Sequence, residues 1–170
     1  IPTTSLYITY IAIKEDDPNT VWITYGGYSD GIKVYESTNG GTSWTNISAG
    51  LPNLPVMSIV HYKAATNRNV LFVGTDVGVY VKDGSNNWAS FNNGLPNVVI
   101  TELDIYYGGV TNKLRAGTYG RGLWETNIDA TLPVELSSFT ASIKNNFVLL
   151  NWTTKTETNN FGFEIERTSN

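Results

Sequence analysis

The chain has 170 residues, 41% hydrophobic and only 15% charged, with 16 Gly, ten Tyr, five Trp and no Cys. That length allows one domain with a proper core, or one domain and part of another, and the composition suits an all-β protein with many tight turns rather than a disordered chain. A net charge of −4, with Lys and Arg gathered nowhere, argues against a nucleic-acid or anionic-membrane surface, and the lack of Cys removes disulfides and thiolate metal sites while leaving the compartment open.

No apolar run approaches the ~20 residues of a membrane helix, so membrane insertion is not expected. The opening "IPTTSLYITY" has neither an initiator Met nor a basic and apolar leader, and reads as an interior piece of something longer. From there, alternating and apolar runs predict strands over 6–13, 20–25, 32–37 and 44–48, then 56–64, 69–75, 78–83 and 88–92, then 100–107, 113–118 and 122–127. These runs group into three units because the sequence repeats. "SWTNISAGLPNLPV" at 43–56 and "NWASFNNGLPNVVI" at 87–100 share a Trp followed by Gly-Leu-Pro-Asn, and Trp44 to Trp88 and Gly50 to Gly94 are both 44 residues apart. "VLFVGTDVGVYV" at 70–81 returns as "KLRAGTYGRGLWE" at 113–125, and a fainter copy, "VWITYGGYSDGIKVYES", occupies 21–37. A repeat of this length with four short strands matches a β-propeller blade. The third unit lacks its fourth strand. Since an open edge invites aggregation, the edge beyond "GLWETN" is expected to pair with a strand not supplied in the usual order.

The turn "STNGGTSW" at 37–44 has its own chemistry. Side chains of Ser37 and Asn39 can accept hydrogen bonds from turn amides, Gly41 permits positive φ, and Trp44 can lay a large ring between neighbouring sheets. The pattern Ser-x-Asx-x-Gly-x-Ser/Thr-Trp resembles the Asp-box, or BNR repeat, of sialidase-like and sortilin-like propellers. Asn39 stands where that family usually has Asp, and Ser43 where Thr is more frequent. "DGSNNW" at 83–88 is a worn version that keeps Asp83 and Trp88. Ser37, Asn39, Gly41, Ser43 and Trp44 lack acid or base chemistry, so the box is read as a structural fastener, with Trp44 and Trp88 expected to be mostly buried. The resemblance implies a binding surface on the face opposite the box but no particular reaction, since propellers of this kind include sialidases, xyloglucanase-type hydrolases, sorting receptors and photosystem assembly factors.

On that opposite face the loops "YGGYSDG", "GTDVG" and "GTYGRG" would present Tyr28, Asp30, Asp76, Tyr119 and Arg121 as a candidate ligand-binding face. Aromatics beside carboxylates and an Arg suit sugar or peptide recognition, while an Asp beside turn glycines also serves simply to cap its turn. No catalytic set is assigned. A sialidase-like site needs clustered Arg, and Arg68, Arg115, Arg121 and Arg167 are scattered. A glycosidase needs two carboxylates flanking one bond, for which Asp30 with Asp76 is the one pair the blade arrangement brings near. His61 is the sole His and, with no second His or Cys, is a poor metal ligand and better suited to packing or lining a channel. Neither metal nor cofactor is expected.

From 131 onward the alternation changes: Phe139, Ala141 and Ile143, then Val148, Leu150 and Trp152, then Phe161, Phe163 and Ile165 read as three sandwich strands. "LPVELSSFTA" and "VLLNWTTKTETNNFGFEIER" resemble the fibronectin-III-like connector near the C-terminus of secreted Bacteroidetes-group proteins, which precedes a type IX sorting domain. The resemblance implies secretion or a cell-surface location, and a truncated module whose apolar face is covered by the rest of its domain or by strands lent by another chain. The domain reading is therefore an all-β chain with a partial propeller over 1–130 and the start of a fibronectin-III-like sandwich over 131–170. Its expected role is recognition of a glycan or another extracellular protein, or extracellular assembly, without catalysis. Two other readings stay open: an Asp-box glycoside hydrolase whose site lies partly in missing blades, and a structural subunit of a surface filament or sheath.

Overall fold

The computed structural model describes residues 6–65, 68–92, 94–128, 135–144 and 147–156. Among them every regular element is a β-strand and there is no helix, so the protein is all-β. The chain divides into two compact units, Ile1–Thr126 and Asn127–Asn170.

In the first unit β1 (Ile8–Lys14), β2 (Asp17–Tyr25), β3 (Val34–Ser37) and β4 (Thr45–Asn46) form an antiparallel sheet in chain order. The next sheet repeats that order with β5 (Val56–His61), β6 (Val70–Thr75), β7 (Gly78–Asp83) and β8 (Ala89–Ser90). A three-stranded sheet follows, made of β9 (Ile100–Tyr106), β10 (Lys113–Thr118) and β11 (Gly122–Asn127), with β10 in the middle. The first strands of the three sheets lie next to one another, β1 against β5 and β5 against β9.

Alternation decides which side chains meet between the sheets. The register sets Ala12 opposite Trp22 and Tyr10 opposite Thr24 on one face of the first sheet, and Ile11 opposite Ile23 on the other. Trp22 and Val34 close on Val56, Ile59, Leu71, Val73 and Trp88 of the second sheet, with Tyr10, Ala12, Ile47, Leu51 and Tyr80 at the margin of this core. Burying each large apolar side chain of this set contributes roughly 1.5–3 kcal/mol. The opposite face of the first sheet is covered only in part: Ile23 and Tyr25 of β2 are buried, while Ile11 is 56% and Ile13 59% exposed on β1. In the third sheet Leu103, Ile105, Leu114 and Ala116 are buried, while the alternate positions carry Glu102, Asp104, Lys113 and Arg115. Glu125 on β11 takes ion pairs from both Lys113 and Arg115, and the Arg115 guanidinium lies 4.2 Å from the centre of the Tyr106 ring.

The outermost strands, expected over 44–48 and 88–92, are only two residues long each. Side chains take over where the ladder stops. Ser48 Oγ accepts from the amides of Lys33 and Val34 at 3.0 Å each, and Asn92 Oδ1 accepts from the amide of Val79 at 2.6 Å. No fourth strand pairs with β11 among the described residues, and all six of its residues are exposed.

In the second unit β12 (Glu135–Lys144) and β13 (Phe147–Thr156) form an antiparallel hairpin that sets Phe139 opposite Trp152, Ala141 opposite Leu150 and Ile143 opposite Val148. This is one continuous apolar face. Its expected cover is not found among the described residues, where Phe139 is 59%, Ile143 85% and Trp152 37% exposed. A single pair of strands has no second layer to bury such a face. The strand expected around Phe161, Phe163 and Ile165 lies outside the described residues.

Candidate functional site

In an up-and-down sheet the β1–β2 and β3–β4 turns share one end and the β2–β3 loop occupies the other. The box turn therefore sits beside the start of β2, where the Gly40 amide donates to the Asn19 carbonyl at 2.9 Å. Within the turn Ser37 Oγ accepts from the amides of Asn39, at 3.3 Å, and Gly41, at 2.8 Å. The Asn39 amide side chain bridges to Ser43, with Oδ1 accepting from the Ser43 amide at 2.9 Å and Nδ2 donating to Ser43 Oγ at 2.8 Å. Gly41 has φ +90° and its carbonyl receives the Trp44 indole N–H at 3.0 Å. The polar side chains of Ser37, Asn39, Ser43 and Trp44 are thus all bonded inside their own turn.

The second turn keeps the backbone bond and changes the side-chain chemistry. The Gly84 amide donates to the Asn69 carbonyl at 2.9 Å, matching Gly40 and Asn19, while Asp83 is ion-paired to Arg68. The two tryptophans differ. Trp88 is 4% exposed, donates its indole N–H to the Ile47 carbonyl at 2.6 Å and its main-chain amide to the Ala49 carbonyl at 3.1 Å. Trp44 was expected to be equally buried and is only half-buried. The cause is positional: Trp88 leans on the first sheet, whereas no described sheet lies on that side of Trp44.

At the opposite end of the sheets lie the loops singled out for ligand binding. Two of the five residues meet. Tyr28 on the β2–β3 loop donates its hydroxyl to Asp76 Oδ2 on the β6–β7 turn at 3.1 Å, and this carboxylate contact holds the tyrosine above its ordinary pKa of 10.0. Tyr28 is 67% exposed even so. Asp30, Tyr119 and Arg121 are exposed too, with Tyr119 and Arg121 together on the β10–β11 turn. The carbonyl of Arg121 accepts the Trp124 indole N–H at 3.0 Å. Asp76 thus partners a tyrosine, and no contact joins it to Asp30.

Beneath the Tyr28 loop is a residue the sequence reading passed over. Lys33 is 1% exposed and its ammonium donates to the Gly27 carbonyl at 2.8 Å. Burial pushes its pKa down, opposed by the nearby Asp30 carboxylate. The bond ties the loop that carries Tyr28 to the first residue before β3, so Lys33 positions the loop rather than presenting a charge. Between Ile32 and Val34 it reads as the outward position of an alternating strand, so the sequence carries no signal of its burial.

A third cluster lines an open groove of about 290 Å³ along β1, β5 and β9. Ile11, Ile13, Ile59 and Ile105 supply its apolar lining, and Glu15, His61, Lys63, Asp104 and Tyr107 its polar groups. Lys63 pairs with Glu15 at 2.7 Å and its ammonium sits 4.7 Å from the centre of the Tyr107 ring. His61 stacks on Trp22, with ring centres 5.0 Å apart, and its Nε2 is buried without a hydrogen-bond partner. Burial lowers its pKa below the usual 6.5, helped by Lys14 and opposed by Asp16 and Glu15. No group of three metal-ligating side chains occurs among the described residues. Arg68 and Arg115 are each engaged with a carboxylate, and Arg167 lies outside the described residues.

No family model matches the chain, and no curated protein matches it in sequence.

Proposed function

We propose that this chain is the closing part of a BNR/Asp-box β-propeller, followed by the start of a fibronectin-III-like connector, and that it serves recognition or assembly outside the cell. The observation that supports recognition most directly is the Tyr28–Asp76 bridge. Two successive repeats, joined through exposed loops at the end opposite the box turns, present an aromatic ring and a carboxylate side by side. Such a pairing suits the hydroxyls and apolar faces of a glycan, or a peptide backbone. Three further facts favour the propeller: the recurrent four-stranded order, the adjacency of the first strands, and the shared turn bond from Gly40 and Gly84. Glycoside hydrolysis gains less support, because Asp76 is engaged by a tyrosine hydroxyl rather than facing a second carboxylate across a cleft. Secretion through the type IX route rests on the connector resemblance, with the alternation of β12 and β13 in its favour.

Titration of the full chain against immobilised glycans and extracellular-matrix peptides tests the reading. Tyr28→Ala and Asp76→Ala should each weaken the best ligand about tenfold, as removal of one buried polar or aromatic contact does, whereas Asn39→Ala should leave affinity unchanged. Equal loss from the box variant, or turnover of a glycoside substrate, would refute a recognition face on these loops.

A further inference from the structure

One residue of the box turn carries a chemistry that neither turn formation nor ligand recognition uses. Asn39 is exposed and is followed by Gly40. Asparagine is among the chemically labile side chains, and a following glycine makes it more so, because no Cβ keeps the glycine nitrogen away from the carboxamide carbon. In water the Gly40 amide loses its proton to a base, its nitrogen attacks Asn39 Cγ, and the Cγ–Nδ2 bond breaks with release of ammonia. The succinimide so formed takes up one water. Cleavage of its new N–Cγ bond leaves aspartate at position 39, and cleavage of the bond from that nitrogen to the main-chain carbonyl carbon leaves isoaspartate.

The folded turn withholds both reactants. The Gly40 N–H is given to the Asn19 carbonyl at 2.9 Å, which opposes its loss. The carboxamide is fixed by three bonds: Oδ1 accepts from Ser37 Oγ at 3.0 Å and from the Ser43 amide at 2.9 Å, and Nδ2 donates to Ser43 Oγ at 2.8 Å. Two donors on Oδ1 polarise Cγ, yet this is without effect while the attacking nitrogen keeps its proton. One repeat later the equivalent step is protected by other means. The Gly84 amide is again given to a carbonyl, that of Asn69, and Asp83 is a buried carboxylate paired with Arg68 and a poor electrophile.

The two products fit the turn unequally. Aspartate keeps Oδ1 as the acceptor of both its bonds, and a rotated Ser43 hydroxyl can donate to the second oxygen where it had accepted from Nδ2. Isoaspartate inserts a methylene into the main chain between Ser37 and Gly41, whose 2.8 Å bond closes the turn.

We propose that Asn39 is a deamidation site gated by the box turn. The reaction proceeds when the turn opens and the Gly40 amide leaves Asn19, and the closed turn then accepts the aspartate product and rejects the isoaspartate. This gate lies at the end of the sheet opposite Tyr28 and Asp76 and goes beyond the recognition reading, so ligand binding there does not bear on it.

The test incubates the full chain at mildly alkaline pH, well below its melting temperature, beside a peptide of residues 35–46, "YESTNGGTSWTN", too short to hold the turn closed. Peptide mapping by mass spectrometry separates Asn39-Gly40 from the other Asn-Gly step, at 93–94, whose first residue lies outside the described residues. Asn39 should convert at least about tenfold more slowly in the chain than in the peptide, because several turn hydrogen bonds must open first. Ser37→Ala removes the acceptor of the Asn39 and Gly41 amides and should raise both the conversion rate and the hydrogen exchange of the Gly40 amide. Ser43→Ala loses only the bond from Nδ2 and should act the same way more weakly, which keeps the test open if Ser37→Ala no longer melts cooperatively. Chains converted to aspartate should melt close to the unmodified chain, and isoaspartate chains lower. Equal rates in chain and peptide, a rate unmoved by both serine variants, or isoaspartate chains as stable as aspartate ones would each overturn the proposal.

Discussion

The two tryptophan turns stand one repeat apart and hold themselves together differently. The first uses a neutral network, with Ser37, Asn39 and Ser43 satisfying one another and the local amides. The second replaces that network by the Arg68–Asp83 ion pair, yet keeps the backbone bond from turn glycine to Asn19 on β2 or to Asn69 just before its counterpart β6. What both preserve is the turn's geometry; what differs is the fate of the ring. Trp88 is seated on the preceding sheet and Trp44 has no such sheet beside it among the described residues. A local motif can therefore build its turn unaided, while burial of its aromatic residue depends on a neighbour far away in sequence.

The sharpest way to break this contrast is to delete each ring. Trp88→Ala should cost ~3–5 kcal/mol, as for other fully buried aromatic truncations, and Trp44→Ala roughly half as much or less. Equal losses in denaturant unfolding would show that the first ring is as well packed as the second.

The glycines of the two Gly-Leu-Pro-Asn loops give the next largest difference. Gly50→Val would place a Cβ against the Trp88 main chain at 2.6 Å in addition to the backbone strain of positive φ, whereas Gly94→Val bears the strain alone, about 1–2 kcal/mol. The melting temperature should accordingly fall much further for the Gly50 variant.

Between the turns themselves the expected gap is smaller. Asp83 is 8% exposed, so Asp83→Ala strands Arg68 and should cost about 1–3 kcal/mol. Asn39→Ala, in an exposed turn, should cost about 1 kcal/mol, and Asn39→Asp should restore most of it, because Oδ1 keeps both its role as acceptor and its position. A box variant as damaging as the ion-pair variant would mean that the exposed network matters more than burial predicts.

The smallest effect is a pH dependence at the interface of the first two sheets. His61 has a folded pKa below 6.5, so the unfolded chain binds the extra proton more readily and stability is full above that value. It should decline as pH falls through about 6.5 toward the folded pKa, and His61→Leu should flatten that slope. An unchanged acid limb in thermal melts at graded pH would show that the ring takes up its proton without leaving Trp22.

Much of the first unit was legible in the sequence. Strand positions followed from period-two alternation and glycine-rich turns, and 44-residue spacing between the tryptophans and between the Gly-Leu-Pro-Asn loops identified equivalent places. The box hydrogen bonds were also readable, because Ser, Asn and Gly at those offsets can bond only across a few residues. The contact of Tyr28 with Asp76 was foreseen only as two residues on one face, since a hydroxyl and a carboxylate on different turns carry no mutual signal. Lys33 escaped because a buried lysine inside an apolar run looks like any surface lysine.

What the sequence by itself determined is thus everything set by local geometry: which runs extend, where they turn, and how each turn satisfies its own amides. The tertiary structure decided which faces are covered. Trp44 and Trp88 share a motif, and Gly50 and Gly94 share a loop, but among the described residues one member of each pair meets another sheet and the other does not. Burial is a property of two surfaces rather than one, so a chain's own residues fix the shape and polarity of a face but not what comes to lie against it.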